Sequence, residues 1–272
     1  MDILACIASE RQYNFHSHTQ FCDGLASMAD MAAAAFEQGL KLYGFSPHSP
    51  LRIPSPCNMD CADVEPYLQE CDRLRDFYAP KGLQIFAGME IDYLDQDWGP
   101  HISYFKDMPL QFRIGSVHFI PDQSGEFVDI DGRYESFRRK MADHFHGDID
   151  YVVQTFFDQS MAMVSAGGFD IIGHLDKVGH NASLYAPGIE QGSHYSSLVR
   201  NLIHAVAKTG LIAEVNTKAY ETAGRMFPSA GLIPEMHAAG IAMIVNSDAH
   251  APDRLRAGRK EAFHILEALT AR

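Results

Sequence analysis

The amino-acid sequence predicts an α/β fold in which parallel strands form a barrel surrounded by helices. Short apolar runs alternate with longer stretches of helical periodicity about seven times along the 272 residues, a pattern typical of βα units in a parallel sheet. No stretch reads as a linker, so we expect one domain, residues 1–272, rather than two. A doubly wound open sheet is the alternative architecture.

The strands are predicted from apolar runs that are too short to form helices. The intervals between the runs leave room for the helical crossover that parallel strands need. The seven predicted strands are Tyr13–His16, Leu42–Pro47, Leu83–Ile91, Arg113–Phe119, Phe169–His174, Leu211–Asn216 and Ile241–Asn246.

The helices are predicted from apolar residues at helical spacing and from start and stop residues. The alanine-rich stretch from Ser27, for example, has Asp30 in its first turn and Gly39 after its end. Two further segments, Pro121–Arg133 and Lys177–Gly192, are predicted to be long loops or hairpins. The predicted helices are Ser27–Gln38, Asp63–Tyr78, Asp150–Ser165, Ser193–Lys208, Glu235–Ala239 and Lys260–Leu269.

The composition narrows the classes of function. Hydrophobic residues make up 46% and charged residues 21%, which excludes a disordered or low-complexity chain. A formal charge of −13 makes non-specific binding to nucleic acid unfavourable, because that binding depends on Lys and Arg. The chain has 14 histidines but one tryptophan. Histidine is the commonest metal ligand and a general acid or base near neutral pH, so the positions of the histidines matter.

Residues that can bind metals lie at or just after the ends of six predicted strands. Because parallel strands in a barrel open their carboxyl ends on one face, we expect these side chains to meet there. Residues i and i+2 of a strand lie on the same side about 6.6 Å apart, so two His-x-His or Asp-x-His pairs can each converge on one site. Asp23, just after the first strand, can join them. The predicted metal ligands are His16, His18, Asp23, His48, Glu90, His118, His174, Asp248 and His250.

The joint pattern is more informative than any one of these residues. A single histidine after a strand is more often a hydrogen-bonded structural residue than a ligand, but an unselected set would also fall in helices and loops. Imidazole and carboxylate ligands suit Zn, Fe or Mn, and nine of them exceed the needs of one tetrahedral ion. We therefore predict two or three divalent ions, with Glu90 as a bridging carboxylate. A structural zinc site at Cys57 and Cys61 is a weaker alternative to reduced thiols.

The ordered set of ligands resembles that of the PHP (polymerase and histidinol phosphatase) family of metal-dependent phosphoesterases. The resemblance runs over nearly the whole chain. It implies a distorted TIM-like (β/α)7 barrel with a trinuclear metal centre at the C-terminal ends of the strands. Within the family the chain is most similar to the histidinol-phosphate phosphatases, through the segments Gly88–Tyr93, Gly115–Phe119, Gly173–Lys177 and Glu214–Thr217.

This resemblance implies hydrolysis of L-histidinol phosphate to L-histidinol and phosphate, a step of histidine biosynthesis. Divalent ions lower the pKa of bound water and neutralise phosphoryl oxygens, so our hypothesis is direct in-line attack by a metal-bound hydroxide. The predicted catalytic residues are Asp248, His250 and Glu90.

The phosphate of the substrate should also meet cationic side chains, and its ammonium and imidazole should meet acidic ones. The predicted substrate-binding residues are Lys177, Arg225 and Arg254, in loops after predicted strand ends, and His101, after the Trp98-Gly99-Pro100 turn. The acidic residues considered as partners of the substrate are Asp92, Asp95, Asp129 and Asp131.

Three other functions compete with this hypothesis. A PHP phosphoesterase for another small phosphoester, such as a nucleoside bisphosphate, would share the metal centre and differ in its loops. A non-catalytic PHP module would be expected to have lost ligands, and this chain has not. An amidohydrolase-type barrel also begins with His-x-His but usually has a bridging lysine where this chain has Glu90.

The location of the protein is predicted from what the sequence does not contain. The first residues are apolar for only about six positions and lack a positively charged start, which argues against a signal peptide. No run approaches the roughly 18 apolar residues of a membrane helix. We therefore expect a cytoplasmic enzyme with a small-molecule substrate and with neither a nucleic-acid nor a membrane partner. The sequence does not indicate an oligomeric state.

Overall fold

The computed structural model describes residues 2–270 and contains a nearly closed barrel of seven parallel strands, as the sequence predicts. The strands in chain order are β1 (Tyr13–Asn14), β2 (Leu42–Phe45), β3 (Gln84–Asp92), β4 (Phe112–Ser116), β5 (Phe119–Pro121), β6 (Phe127–Asp129), β7 (Ile171–Ile172), β8 (Ile212–Asn216) and β9 (Met243–Asn246). The barrel has the order β1-β2-β3-β4-β7-β8-β9, while β5 and β6 form a separate antiparallel hairpin.

The first and last barrel strands meet just beyond their ends rather than along their length. Ser17 and Ala249 form an isolated parallel bridge, and the backbone N–H of His18 donates to the carbonyl of Ala249 at 2.8 Å. Two residues that the sequence predicts as ligands, His18 and Asp248, are therefore held beside this seam. Closure of the barrel and assembly of the site depend on the same contact.

Helices surround the barrel, and among residues 2–270 none is both long and apolar enough to span a bilayer. The helices are α1 (Ile3–Ser9), α2 (Met28–Glu37), α3 (Val64–Tyr78), α4 (Ser103–Lys106), α5 (Tyr134–Asp143), α6 (Ile149–Ala166), α7 (Val178–Tyr185), α8 (Ser193–Ala207), α9 (Tyr220–Ala223), α10 (Ile233–Ala238) and α11 (Arg259–Thr270). Side-chain caps begin several of them: Ser27 accepts from the N–H of Asp30 in α2, and Asp148 accepts from the N–H of Tyr151 in α6.

Aromatic and aliphatic side chains fill the lower part of the barrel. Phe15, Phe86, Phe112 and Ile244 belong to this inner cluster, and α1 packs Ile3 against it. The Phe112 ring takes the space beside two glycines of neighbouring strands, because a Cβ at Gly44 or Gly88 would overlap it. The barrel therefore has a packed apolar floor beneath its polar upper end.

The described residues contain five helices that the sequence did not predict. Lys177–Gly192 is not a loop: it contains α7, whose Val178 and Ala182 are buried against the cluster around α6. Gly179 and Pro187 have low helix propensity, which favours the prediction of a loop. Tertiary packing outweighs this propensity in the folded protein. Helices α1 and α5 and the four-residue helices α4 and α9 are also absent from the prediction. In α5 only a narrow apolar stripe is buried, which is easily missed in a charged segment. The segment 121–133 does contribute to a hairpin, β5–β6.

We expect Phe112→Ala to lower the free energy of unfolding by about 3–5 kcal/mol, because it leaves a cavity in the barrel. Gly88→Ala alone should cost about 1–3 kcal/mol by overpacking against the same ring. The double variant should cost less than the sum of the two, since the new methyl group enters the space that the ring vacates. Denaturant unfolding of the two single variants and the double variant measures these changes in the free energy of unfolding. Leu25→Ala, which changes an exposed side chain, is the control. Strict additivity would contradict the packing described here.

Candidate metal centre

The carboxyl ends of six barrel strands bring all nine predicted ligands together. Strand β1 leads into His16 and His18, β2 into His48, β4 into His118, β7 into His174, and β9 into Asp248 and His250, while Glu90 lies within β3. Asp23 comes from the loop after β1. The structure thus places the predicted residues in one cluster, and their role as metal ligands stays a prediction.

Glu90 lies at the middle of this cluster, with five imidazoles around its carboxylate. Its Oε2 lies 3.2 Å from His16 Nε2 and 3.1 Å from His48 Nδ1, and 3.6 Å from the Nε2 of a third histidine, His18. Its Oε1 lies 2.9 Å from His174 Nε2 and 3.6 Å from His118 Nε2. The two oxygens face different groups of histidines, which is the arrangement that a bridging carboxylate needs.

The remaining acids complete the other side of the cluster. Asp248 Oδ1 lies 3.0 Å from His18 Nε2. Asp23 Oδ2 lies 3.3 Å from His250 Nε2, and its Oδ1 lies 3.8 Å from His48 Nε2. The rings of His18 and His250 are stacked with centroids 4.0 Å apart. The loop residue Asp23 is therefore as close to the histidines as the residues at the strand ends are.

A second layer of acceptors orients the rings. Glu214 Oε1 lies 2.6 Å from His16 Nδ1, and Asp92 Oδ1 lies 2.7 Å from His118 Nδ1. The Nδ1 of His250 lies 3.0 Å from the carbonyl of Asp248. Each of these Nδ1 atoms donates a proton to an oxygen, so that Nε2 faces the cluster and can offer its lone pair to a metal ion once it is deprotonated.

The donors fit divalent metal ions on the evidence of their unsatisfied atoms. His16 Nε2, His18 Nε2, Asp23 Oδ1 and His48 Nδ1 are buried and have no hydrogen-bond partner among residues 2–270. Buried polar atoms are rarely left unpaired without a ligand or water to satisfy them. Three overlapping groups have ligand atoms within 4.8 Å of one another: His18, Asp23, His48 and His250; His16, His18 and Asp248; and His48, Glu90 and His118.

The sharing of residues between these groups limits the number of ions. A neutral imidazole has one lone pair and ligates one ion at a time, so His18 and His48 cannot serve two groups at once. No group of this kind in residues 2–270 includes a cysteine. The alternative of a zinc site at Cys57 and Cys61 therefore finds no support.

The buried imidazoles of the cluster fall into two groups by protonation state. Burial and neighbouring imidazoles hold the pKa of His18 well below its ordinary value, and burial lowers the pKa of His174 to about 4. Burial opposes the charge of His16 and His118 too, but neighbouring carboxylates outweigh it. They hold the pKa of His16 well above its ordinary value and raise the pKa of His118 to about 9. Burial likewise disfavours an ionised Glu90, yet the surrounding imidazoles hold its pKa well below the ordinary value. Near pH 7 the Glu90 carboxylate is therefore anionic and His18 and His174 are neutral, while His16 and His118 carry protons that a bound metal ion would displace.

Two of the clustered residues have strained backbones. His174 has φ 21° and Asp248 has φ 50°, in or near the left-handed region that non-glycine residues rarely adopt. Such conformations cost on the order of 1–3 kcal/mol and persist where the surroundings enforce them. Here hydrogen bonds from the N–H of His174 to Glu214 and from Asn216 to Asp248 hold the turns. These backbone conformations bring the side chains of His174 and Asp248 to the cluster.

A cavity of about 190 Å³ opens beside the cluster. Lys218 lines it, with Nζ 3.3 Å from Asp248 Oδ1 and 3.2 Å from His250 Nε2. Two carboxylates, Asp129 and Asp131, line it as well. The cavity thus offers a cation next to the proposed ligands and two further carboxylates in its lining.

Most of the predicted substrate-binding residues lie elsewhere. Lys177 is largely buried, and its Nζ lies 2.7 Å from Asp131 Oδ2. Arg225 is held by Glu190 and Asp176. Arg254 is half exposed and pairs with Glu221 and Asp253, and His101 Nε2 lies 2.9 Å from the carbonyl of Gln96. None of these four side chains lines the cavity described above.

The acidic residues considered as partners of the substrate divide in the same way. Asp129 and Asp131 line the cavity, but Asp92 is buried beneath it and holds His118, and Asp95 pairs with Arg52. Lys218, which lies two residues beyond β8, is not among the residues predicted from the sequence. Its position after a strand end is the signal that could have identified it, because the proposed ligands also lie within a few residues of a strand end.

Two solved structures share this fold. A candidate histidinol phosphatase from Listeria monocytogenes superposes with a TM-score of 0.79 at 18% identity, over 92% of this chain and 99% of that one. A histidinol phosphate phosphatase from Lactococcus lactis subsp. lactis, complexed with zinc, L-histidinol and phosphate, has a TM-score of 0.69 at 19% identity, over 94% of this chain and 93% of that one. At these identities the likeness shows the fold. No curated protein sequence matches the chain significantly.

The sequence itself identifies the family. The model of the PHP domain matches residues 14–218, a range that contains seven of the nine clustered residues and ends before Asp248 and His250. Because this match extends over well more than half of the chain and the barrel agrees with it, the protein belongs to the PHP domain family.

Proposed function

We propose that this protein is a metal-dependent phosphomonoesterase that hydrolyses L-histidinol phosphate to L-histidinol and phosphate. The observation that carries the proposal is the cavity beside the ligand cluster, which is lined by one cation, Lys218, and by the carboxylates Asp129 and Asp131. A substrate with a phosphate at one end and an ammonium at the other matches this charge arrangement. The L-histidinol and phosphate in the Lactococcus structure support the same substrate.

The nine clustered residues would hold two or three divalent ions of the zinc, iron or manganese type. Bound ions of this kind lower the pKa of water and neutralise phosphoryl oxygens, which promotes in-line hydrolysis. Glu90 would bridge through its two oxygens, and Asp248 and His250 would border the reacting phosphate because they lie closest to Lys218. These three are the proposed catalytic residues.

Lys218 is the cation that we assign to the phosphate. Its ammonium group lies at the cavity surface, and its side chain is 38% exposed, so it can reach a bound ligand. A compact ammonium acts as a point charge on a phosphoryl oxygen. This assignment replaces Arg225 and Arg254, whose guanidinium groups are engaged with carboxylates away from the cavity.

Asp131 is the acceptor that we assign to the substrate ammonium. Its Oδ2 is paired with Lys177, but its Oδ1 has no hydrogen-bond partner among the residues that the structure describes. Asp129 is less available, because Oδ1 accepts from the N–H of Asp131 and Oδ2 pairs with Lys140. An uncommitted carboxylate oxygen at the cavity surface favours substrates that carry an amine.

Replacing His118 or Glu90 with Ala should remove bound metal and phosphatase activity together, because each change deletes a donor from the cluster. Metal content by mass spectrometry and initial rates on the same preparations measure both. His204→Ala, which removes an exposed histidine of α8, is the matched control. Full activity in either variant at greatly reduced metal content would refute the role of the metal centre.

Lys218→Gln should lower kcat/KM for histidinol phosphate by about tenfold to a hundredfold, the usual effect of losing one charge-assisted hydrogen bond. Arg254→Gln should change it little, since that guanidinium contacts surface carboxylates. The metal content of both variants should match the parent protein. An equal loss in both variants would show that the cavity does not hold the phosphate.

A screen of metal-loaded protein should show preference for histidinol phosphate over nucleoside bisphosphates and a DNA 3′-phosphate end. Asp131→Asn should reduce activity toward histidinol phosphate more than toward p-nitrophenyl phosphate, which has no amine. Steady-state rates on all four substrates measure both expectations. A preference of the parent protein for a nucleoside bisphosphate would move the proposal to the alternative within the family.

A further inference from the structure

A second cavity lies outside the metal centre, between the segment before β1 and helix α11. We call it the α11 groove, and its volume is about 710 Å³. Two carboxylates line it, against a larger number of cations, although the protein as a whole carries a formal charge of −13. None of its lining residues belongs to the ligand cluster. The cationic side chains are Arg11, Arg256, Arg259 and Lys260.

Arg259, the first residue of α11, is the unusual member of this group. The residue is only 4% exposed, yet its Nε and Nη2 have no hydrogen-bond partner among residues 2–270. Burying a charged group without an acceptor is costly, and buried arginines are normally paired. Burial lowers the pKa of Arg259 to about 10, so the guanidinium stays charged at neutral pH.

The contacts of Arg259 are with aromatic rings and not with hydrogen-bond acceptors. The guanidinium carbon lies 5.1 Å from the ring centroid of Tyr13 and 5.4 Å from that of Phe263. A cation–π contact holds the charge over the ring face but supplies no oxygen acceptor. The N–H bonds of Nε and Nη2 form one edge of the guanidinium, the fork that binds carboxylates and phosphates. This edge lacks the acceptor for which it is suited.

The other cations of the groove are already engaged or lie at its rim. Arg256 donates to Gln12 Oε1 at 2.6 Å. Arg11 Nη1 lies 3.6 Å from Glu267 Oε1, and the side chains of Arg11 and Glu267 are each more than half exposed. Lys260 is exposed. These residues raise the local positive potential without satisfying Arg259.

We propose that the α11 groove binds a small oxyanion, a phosphate or carboxylate group, through the Nε and Nη2 edge of Arg259. Arg11 and Lys260 add positive charge at the rim, and Phe263 offers an apolar surface to the body of the ligand. Contact requires the guanidinium edge to turn toward the groove. That rotation breaks no hydrogen bond, because the edge makes none within the described chain.

Calorimetric titration of the metal-loaded protein with inorganic phosphate, and separately with acetate, tests the proposal and separates the two kinds of oxyanion. We expect a binding event that Arg259→Gln weakens by about tenfold or more, as expected for a charge-assisted contact. Lys218→Gln should leave that event unchanged, which distinguishes the groove from product binding at the metal centre. Arg200→Gln, an exposed arginine of α8 outside the groove, is the matched control.

A second variant protects the test against a folding defect of Arg259→Gln. The double variant Arg11→Gln with Lys260→Gln changes only exposed rim residues and should weaken the same event several-fold. Circular dichroism establishes that each variant is folded. If both variants bind phosphate and acetate as the parent does, or if the parent shows only the event that Lys218→Gln weakens, the groove binds no oxyanion and the proposal is wrong.

Discussion

The buried carboxylate of Glu90 is the constraint from which the arrangement of the barrel follows. A carboxylate that is 1% exposed needs compensating partners, and it finds them in five imidazoles from four other strand ends. Those imidazoles can converge only if the strands end at the same level. Strands β1 and β7 have only two residues each. Each of them ends shortly before the histidine that points to Glu90, which is consistent with this requirement.

A polar layer separates this cluster from the apolar floor of the barrel. Glu214 has no exposed surface but accepts from His16 Nδ1, from the side chains of Asn216 and Asn246, and from the N–H of His174. With these acceptor sites filled, Glu214 fixes ring orientation and is not available as a ligand. Fully satisfied buried networks of this kind specify one geometry, which explains how strained turns at His174 and Asp248 persist.

The sequence predicts the parts of this protein that depend on local periodicity. Strands, most helices and the convergence of residues such as His16 and His118 follow from period and from the common direction of parallel strands. The partners of loop residues do not follow, because Arg225 meets Glu190 and Asp176 only through packing of segments far apart in the chain. For the same reason α7 was missed: its helix is stabilised by burial against α6 and not by its own propensity.

The acidity of the chain does not set the charge of what it binds. Three divalent ions would bring the formal charge from −13 to about −7 and place the added charge at the cavity mouth. Salt screens the charges of surface carboxylates that lie more than about 10 Å from a bound ligand. Lys218 lines the cavity itself, so its charge is screened much less. Local arrangement therefore decides ligand preference. The same reasoning supports the proposal for the α11 groove, where a buried guanidinium without an acceptor lies in a protein of net negative charge.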